Sequence, residues 1–175
     1  AIIEKLNIDI NNTYAFGDAT NDLGMFKVVK NPVAMKIHSK ELEEYARETL
    51  NFDGEIIRVD NQNTAYFNPF GNNPRLYLGR DAYPNPNPTR ANEEISWKGG
   101  LAHEIIGHYQ ADMVGYTQEN EILEEVQASM RASVLTPGLS DYERKVLWQD
   151  AMDRLSNNGM KYEDVKHLIH LEKYE

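Results

Sequence analysis

Two histidines five residues apart, with a glutamate directly after the first, constrain this chain more than any other feature. They stand between Ser96 and Ser133 as His103-Glu104-Ile105-Ile106-Gly107-His108, and Glu124-Glu125 follows in the next segment with a helical pattern. Imidazoles on one helix face can chelate zinc, and a neighbouring glutamate can act as base toward a metal-bound water. The usual spacing places the histidines four apart, about 40° around the axis. Five residues at about 100° each leave them about 140° apart, too far to share an ion on a regular helix. A π-bulge absorbs the extra residue and returns both rings to one face. Gly107 stands where a permissive backbone helps.

The rest of the composition narrows the setting. A chain of 175 residues, 41% hydrophobic and 26% charged, can build one core or a small domain with an attached piece. A net charge of −10 argues against nucleic acid or anionic lipid as the main partner. With no cysteine, disulfides and thiolate metal sites are excluded. No apolar run approaches the ~18 residues of a membrane span. The first residues, Ala-Ile-Ile-Glu-Lys-Leu, lack the pattern of a signal peptide. A soluble protein is expected, and the abrupt start suggests a piece of a longer one.

Two domains are expected, 1–50 and 51–175. In the first, Ile2, Ile3 and Leu6 read as a short turn of helix and Tyr14-Ala15-Phe16 as a strand ending at Gly17-Asp18. A helix over Asp22 to Val29 is broken by Asn31-Pro32; Val33-Ala34-Met35 is a second strand, and Lys40 to Leu50 a charged helix. Alternating short strands and helices imply parallel pairing. In the second domain, Glu55–Val59, Thr64–Phe67 and Arg75–Leu78 read as a three-stranded antiparallel sheet, the first two joined by a hairpin through Asp60–Asn63. Three prolines between Asp81 and Arg90 dictate a loop. Helices follow: one capped by Asn92 and ending near Met113 at Gly115, one from Glu119 to Val134, one opened by the Ser140/Glu143 capping box, and a last one from Lys161 to Tyr174. The fold class is α+β: a small antiparallel sheet packed on a helical, zincin-like core, with a short α/β segment before it.

Two stretches resemble known families. YAFGDATNDLGMFKVVKNPVAM, with SKELEEYARE after it, resembles the C-terminal quarter of haloacid dehalogenase superfamily phosphatases. The resemblance implies magnesium ligation by Asp18 and Asp22, since hard Mg2+ prefers carboxylates at the end of a parallel strand. That family also needs a DxDx[T/V] nucleophile motif, which Asp9-Ile10-Asn11-Asn12-Thr13 imitates with Asn in place of the second Asp.

HEIIGH, in turn, resembles the HELLGH motif of dipeptidyl peptidase III, a family defined by HExxxH. Its later EExxAE motif is matched by Glu124-Glu125-Val126-Gln127-Ala128-Ser129, except that Ser129 replaces the last glutamate and the spacer is shorter. The resemblance implies His103, His108 and Glu125 as zinc ligands, Glu104 as general base, and Glu124 orienting a histidine. Glu119 and Glu121 compete for the third ligand position. Tyr109, Tyr116 and His167 are candidates for stabilising the oxyanion. The apolar Leu101, Ile105, Ile106, Ile122, Leu123, Val126 and Met130 are core.

The region from Asp60 to Leu155 resembles the C-terminal toxin modules of Rhs-type polymorphic toxins. That implies a protein or peptide substrate, an immunity or inhibitor protein as partner, and delivery into a target cell as part of a larger protein. The expected function is a zinc metallopeptidase. Its rivals are a magnesium-dependent haloacid dehalogenase-type phosphohydrolase and a non-catalytic binding module in which His103 and His108 merely pack.

Overall fold

The computed structural model describes residues 5, 8–17, 23–34, 40–59, 63–68 and 71–172. Two compact units divide the chain, Ala1–Lys40 and Glu41–Glu175. The division falls ten residues before the expected boundary at 50/51. Its cause is the helix that begins at Lys40: Leu42, Ala46, Leu50 and the following Phe52 are buried, and Phe52 meets the Tyr109 ring edge-on at 5.0 Å.

In the first unit β1 (Tyr14–Gly17) pairs in parallel with β2 (Asn31–Ala34), Tyr14 opposite Asn31, and α1 (Leu23–Phe26) lies between them in sequence. Parallel pairing was expected, and so was the end of the helix before Asn31-Pro32: α1 stops at Phe26 and β2 contains the proline. The Asn31 N–H bonds to the Thr13 carbonyl at 3.0 Å, so the next residue faces the opposite edge, where no N–H is required. Asp9 caps a 3-10 turn, Ile10–Asn12, just ahead of β1. Asp18 and Asp22, with Ile2, Ile3, Leu6 and Met35, lie outside the described residues.

The second unit is α+β. Helix α2 (Lys40–Glu44, continuing as a wide-turned Tyr45–Thr49) leads into a sheet of three strands, β3 (Glu55–Arg58), β4 (Ala65–Phe67) and β5 (Arg75–Leu78). Their order is β3-β5-β4: β3 runs parallel to β5, and only β4–β5 is antiparallel. The expected hairpin between β3 and β4 is therefore replaced by a mixed sheet. Burial decides the order, because β5 carries Leu76 and Leu78, both buried, and takes the centre. The Thr64 N–H donates to Asp81 Oδ1 and Thr64 Oγ1 accepts from the Gly79 N–H, which fixes β4 beside the end of β5.

Helices complete the unit. After a short α3 (Ala91–Glu94), α4 runs in three pieces: α-helical Trp97–Ala102, π-helical His103–Tyr109 and α-helical Gln110–Met113. Its N-cap is Ser96, not Asn92; the extended Ile95 and Ser96 separate it from α3. Gly115, with φ +74°, ends it in the left-handed region. Helix α5 (Glu121–Leu135) is capped by Asn120, and α6 (Asp141–Asn157) opens with the expected capping box. The expected last helix is only α7 (Tyr162–Val165) and a 3-10 turn, Lys166–Leu168; Tyr174 lies outside the described residues. The backbone beyond is taken by Arg131, whose Nη1 donates to the His170 and Glu172 carbonyls. Leu123, Val126 and Met130 of α5 pack on Ala151 and Leu155 of α6, and the other face of α5 meets the π-helical piece of α4. Among the described residues, no helix is long and apolar enough to cross a membrane.

Candidate metal centre

The π-helical turn sits where the five-residue spacing demands it. Hydrogen bonds from i to i+5 place His103 and His108 one turn apart on the same face. Gly107, however, has no left-handed φ. A Cβ there would stand 2.7 Å from Ala128 Cα, Cβ and O, so the missing side chain is what lets α4 and α5 touch. Ile106, within the widened turn, gives its carbonyl to Arg131 Nε at 3.1 Å.

Close contact at Gly107 brings α5 across the two histidines. His103 Nε2 and His108 Nε2 are 3.2 Å apart. The Glu125 carboxylate straddles them, Oε2 at 3.4 Å from His103 and Oε1 at 3.5 Å from His108. Tetrahedral zinc with bonds of about 2.0–2.1 Å separates its ligand atoms by about 3.3 Å. The nitrogen–nitrogen spacing matches that edge, each nitrogen has its own Glu125 oxygen at a similar distance, and one donor atom from each residue lies within 4.8 Å of the others, so the set fits the ion. Among the described residues they form the one His/Asp/Glu group whose atoms converge this way. Glu119 and Glu121 are exposed and outside it.

Other side chains orient the rings. Glu124 Oε1 is 2.9 Å from His108 Nδ1, and its Oε2 accepts from the Gln118 N–H at 2.7 Å. A carboxylate only accepts, so Nδ1 carries a proton, and once the ring gives up its second proton the lone pair of Nε2 faces inward. His103 Nδ1 meets Ser129 Oγ at 2.9 Å. Ser129 in turn donates to Asp150 Oδ2 at 2.6 Å, and Arg154 joins Asp150 to Glu125, each at 2.9 Å. Asp150 and Arg154 escaped sequence reasoning. Their i,i+4 spacing on a helix was visible, but nothing local tied them to a motif 25 residues earlier.

The electrostatics favour a cation. Burial opposes charge on His108, but hydrogen bonds to Glu124 and Glu125 and the charge of Glu104 outweigh it and push its pKa up to about 10. Burial would raise the Glu125 carboxyl, yet bonding to His103 and His108 holds it well below the usual carboxylate range. Without a metal, a proton fills the role.

Glu104 Oε2 accepts from the Tyr66 N–H of β4 at 2.8 Å, so the sheet edge meets the histidine helix at this residue. Of the tyrosine candidates, Tyr109 is buried and its hydroxyl donates to Asp53 at 2.6 Å. Tyr116 stacks on His170 with ring centres 4.5 Å apart. His167 is exposed on the 3-10 turn after α7. Tyr66 donates its hydroxyl to Asp112 at 2.6 Å; burial and that acceptor raise its pKa far above the ordinary 10.0.

Comparison with known proteins bears on the other end of the chain. The profile of haloacid dehalogenase-like hydrolases matches residues 1–55. Residues 1–55 resemble that family. YkrA of Bacillus subtilis, provisionally named a phosphatase, is 51% identical over 45 residues, 26% of this chain and 18% of its own length. M6_Spy0533 of Streptococcus pyogenes serotype M6, likewise provisionally named, is 44% identical over 46 residues, 26% of this chain and 17% of its own. The chain thus spans under a fifth of the length of these curated relatives. No solved structure matches.

Proposed function

We propose that the unit Glu41–Glu175 is a zinc-dependent hydrolase of metallopeptidase type. The observation that carries the reading is the convergence of His103 Nε2, His108 Nε2 and the Glu125 carboxylate: the nitrogens are 3.2 Å apart, near the edge of a zinc tetrahedron, and one carboxylate oxygen stands 3.4 Å from the first and the other 3.5 Å from the second. His103, His108 and Glu125 would hold the ion as three protein ligands, the number typical of catalytic rather than structural zinc. Zinc held there supplies a Lewis acid and a water whose pKa falls to about 7.

Glu104 is the general base in this reading. The Tyr66 N–H holds one of its oxygens and leaves Oε1 to take and return a proton. Glu124 keeps His108 in its ligating tautomer. A peptide is favoured as substrate because β4, the strand in contact with Glu104, is a sheet edge, and extended peptides add to such edges by main-chain pairing. An inhibitor or immunity protein as partner and delivery as a toxin module remain proposals on the sequence resemblance.

The test is hydrolysis of a broad peptide library by zinc-loaded protein. We expect cleavage that falls ~10²–10⁴-fold in Glu104→Gln while zinc stays bound. Cleavage undiminished in that variant contradicts the assignment.

A second reading rests on the family match at 1–55: a magnesium-dependent phosphohydrolase using Asp18 and Asp22. Asp9, the nearest imitation of its nucleophile, is instead a local cap, accepting from the Asn11 N–H and side-chain amide at 3.0 Å each. Magnesium-stimulated release of phosphate from p-nitrophenyl phosphate, lost in Asp18→Asn, favours this second reading.

A further inference from the structure

We propose that Asp150 is a positioning residue of the metal site, acting on His103 through Ser129. The inference rests on the reading of His103, His108 and Glu125 as metal ligands.

Each step follows from the inventory of donors and acceptors. Asp150 Oδ2 is met by Arg154 Nε–H at 2.9 Å and by Ser129 Oγ at 2.6 Å. Arg154 donates to the same oxygen, which marks Oδ2 as an acceptor, so the single hydroxyl proton of Ser129 points at Asp150. Toward His103 the serine then offers a lone pair. It accepts from Nδ1–H at 2.9 Å and leaves Nε2, 3.2 Å from its counterpart on His108, as the ligating nitrogen. The chain therefore selects one tautomer of His103 without touching the metal position.

His108 receives the same treatment directly from Glu124. The two histidines thus each end on a carboxylate, one at first hand and one through a hydroxyl. Two i,i+4 pairs build the longer path: Glu125 and Ser129 on α5, Asp150 and Arg154 on α6. Arg154 Nη1 also reaches Glu125 Oε2, so the path from one ligand returns to another. Its interior is buried: Ser129 is 0% and Asp150 3% exposed. Polar groups enclosed to that degree are costly unless each bond is made, so a change at any link is felt at the others.

A purely structural link between α5 and α6 is the rival explanation, and it predicts altered stability without altered metal binding. Zinc affinity by chelator competition, the d–d spectrum of the Co2+ form and metal-free urea unfolding separate the two for wild type, Asp150→Asn, Ser129→Ala and the double variant. We expect each single change to weaken zinc ~10–100-fold and to shift the cobalt bands. The double variant should be no weaker than the worse single one, because both cut one chain. Ser129→Ala adds no volume and carries the test if Asp150→Asn does not fold. Wild-type zinc affinity and an unchanged cobalt spectrum in the variants overturn the inference and leave the metal site standing. Weakening by Asp150→Asn but not by Ser129→Ala also overturns it. A wild type that takes up no zinc overturns the metal reading itself.

Discussion

Gly107 has no side chain because the Ala128 backbone occupies the space a Cβ needs. Gly107→Ala should cost ~1–3 kcal/mol in urea unfolding and weaken zinc, since it pries α4 from α5 and separates the histidines from Glu125. A variant as stable as wild type would show that the helices can part without harm. His108 and Glu125 set the pH dependence of the metal-free protein. His108 rises from its ordinary 6.5 to about 10 on folding, so its contribution to stability is full below pH 6.5 and fades between 6.5 and 10. Glu125 falls from its ordinary 4.5, so its contribution is present above 4.5 and fades as pH drops further. Metal-free stability should therefore peak between these limits. Zinc must displace the His108 proton, so its affinity should climb up to tenfold per pH unit below about 10, as titrations at pH 6, 7 and 8 would reveal.

At the scale of elements, Arg131 ties three together. It is fully buried on α5 and donates to carbonyls of the π-turn and of the segment after α7. Nη2 is left without a partner, and burial lowers the pKa of the guanidinium. Arg131→Met keeps bulk but removes every donor. A loss of ~1–3 kcal/mol for each carbonyl left buried is expected, with faster amide exchange at 166–172. The π-turn and the capping box of α6 were legible beforehand because both are local: five residues between histidines, three between Ser140 and Glu143. Strand order was not, since three- and four-residue strands carry little register information and burial of Leu76 and Leu78 settles it. The partners of Tyr109 and Tyr116 were hidden for a similar reason, lying 56 and 54 residues away at Asp53 and His170. Ser129 looked like a gap in a motif; the carboxylate it lacks comes from Asp150.

Across the whole molecule, the family match and the compact units divide the chain differently. The match extends to residue 55, whereas residues 41–55 belong to the unit that carries His103, His108 and Glu125, with Leu42, Leu50 and Phe52 buried. Glu41–Glu175 expressed alone should unfold cooperatively and bind zinc as the full chain does, while a cut at residue 51 should cost stability; calorimetry and metal titration check both. The central claim is that three side chains from two helices hold one zinc ion. Metal analysis of the purified full chain tests it most directly: about one zinc per chain, absent in His103→Ala and retained in Glu104→Gln, is the predicted result. A wild type without zinc, and with a melting temperature indifferent to added zinc and to chelator, would contradict it.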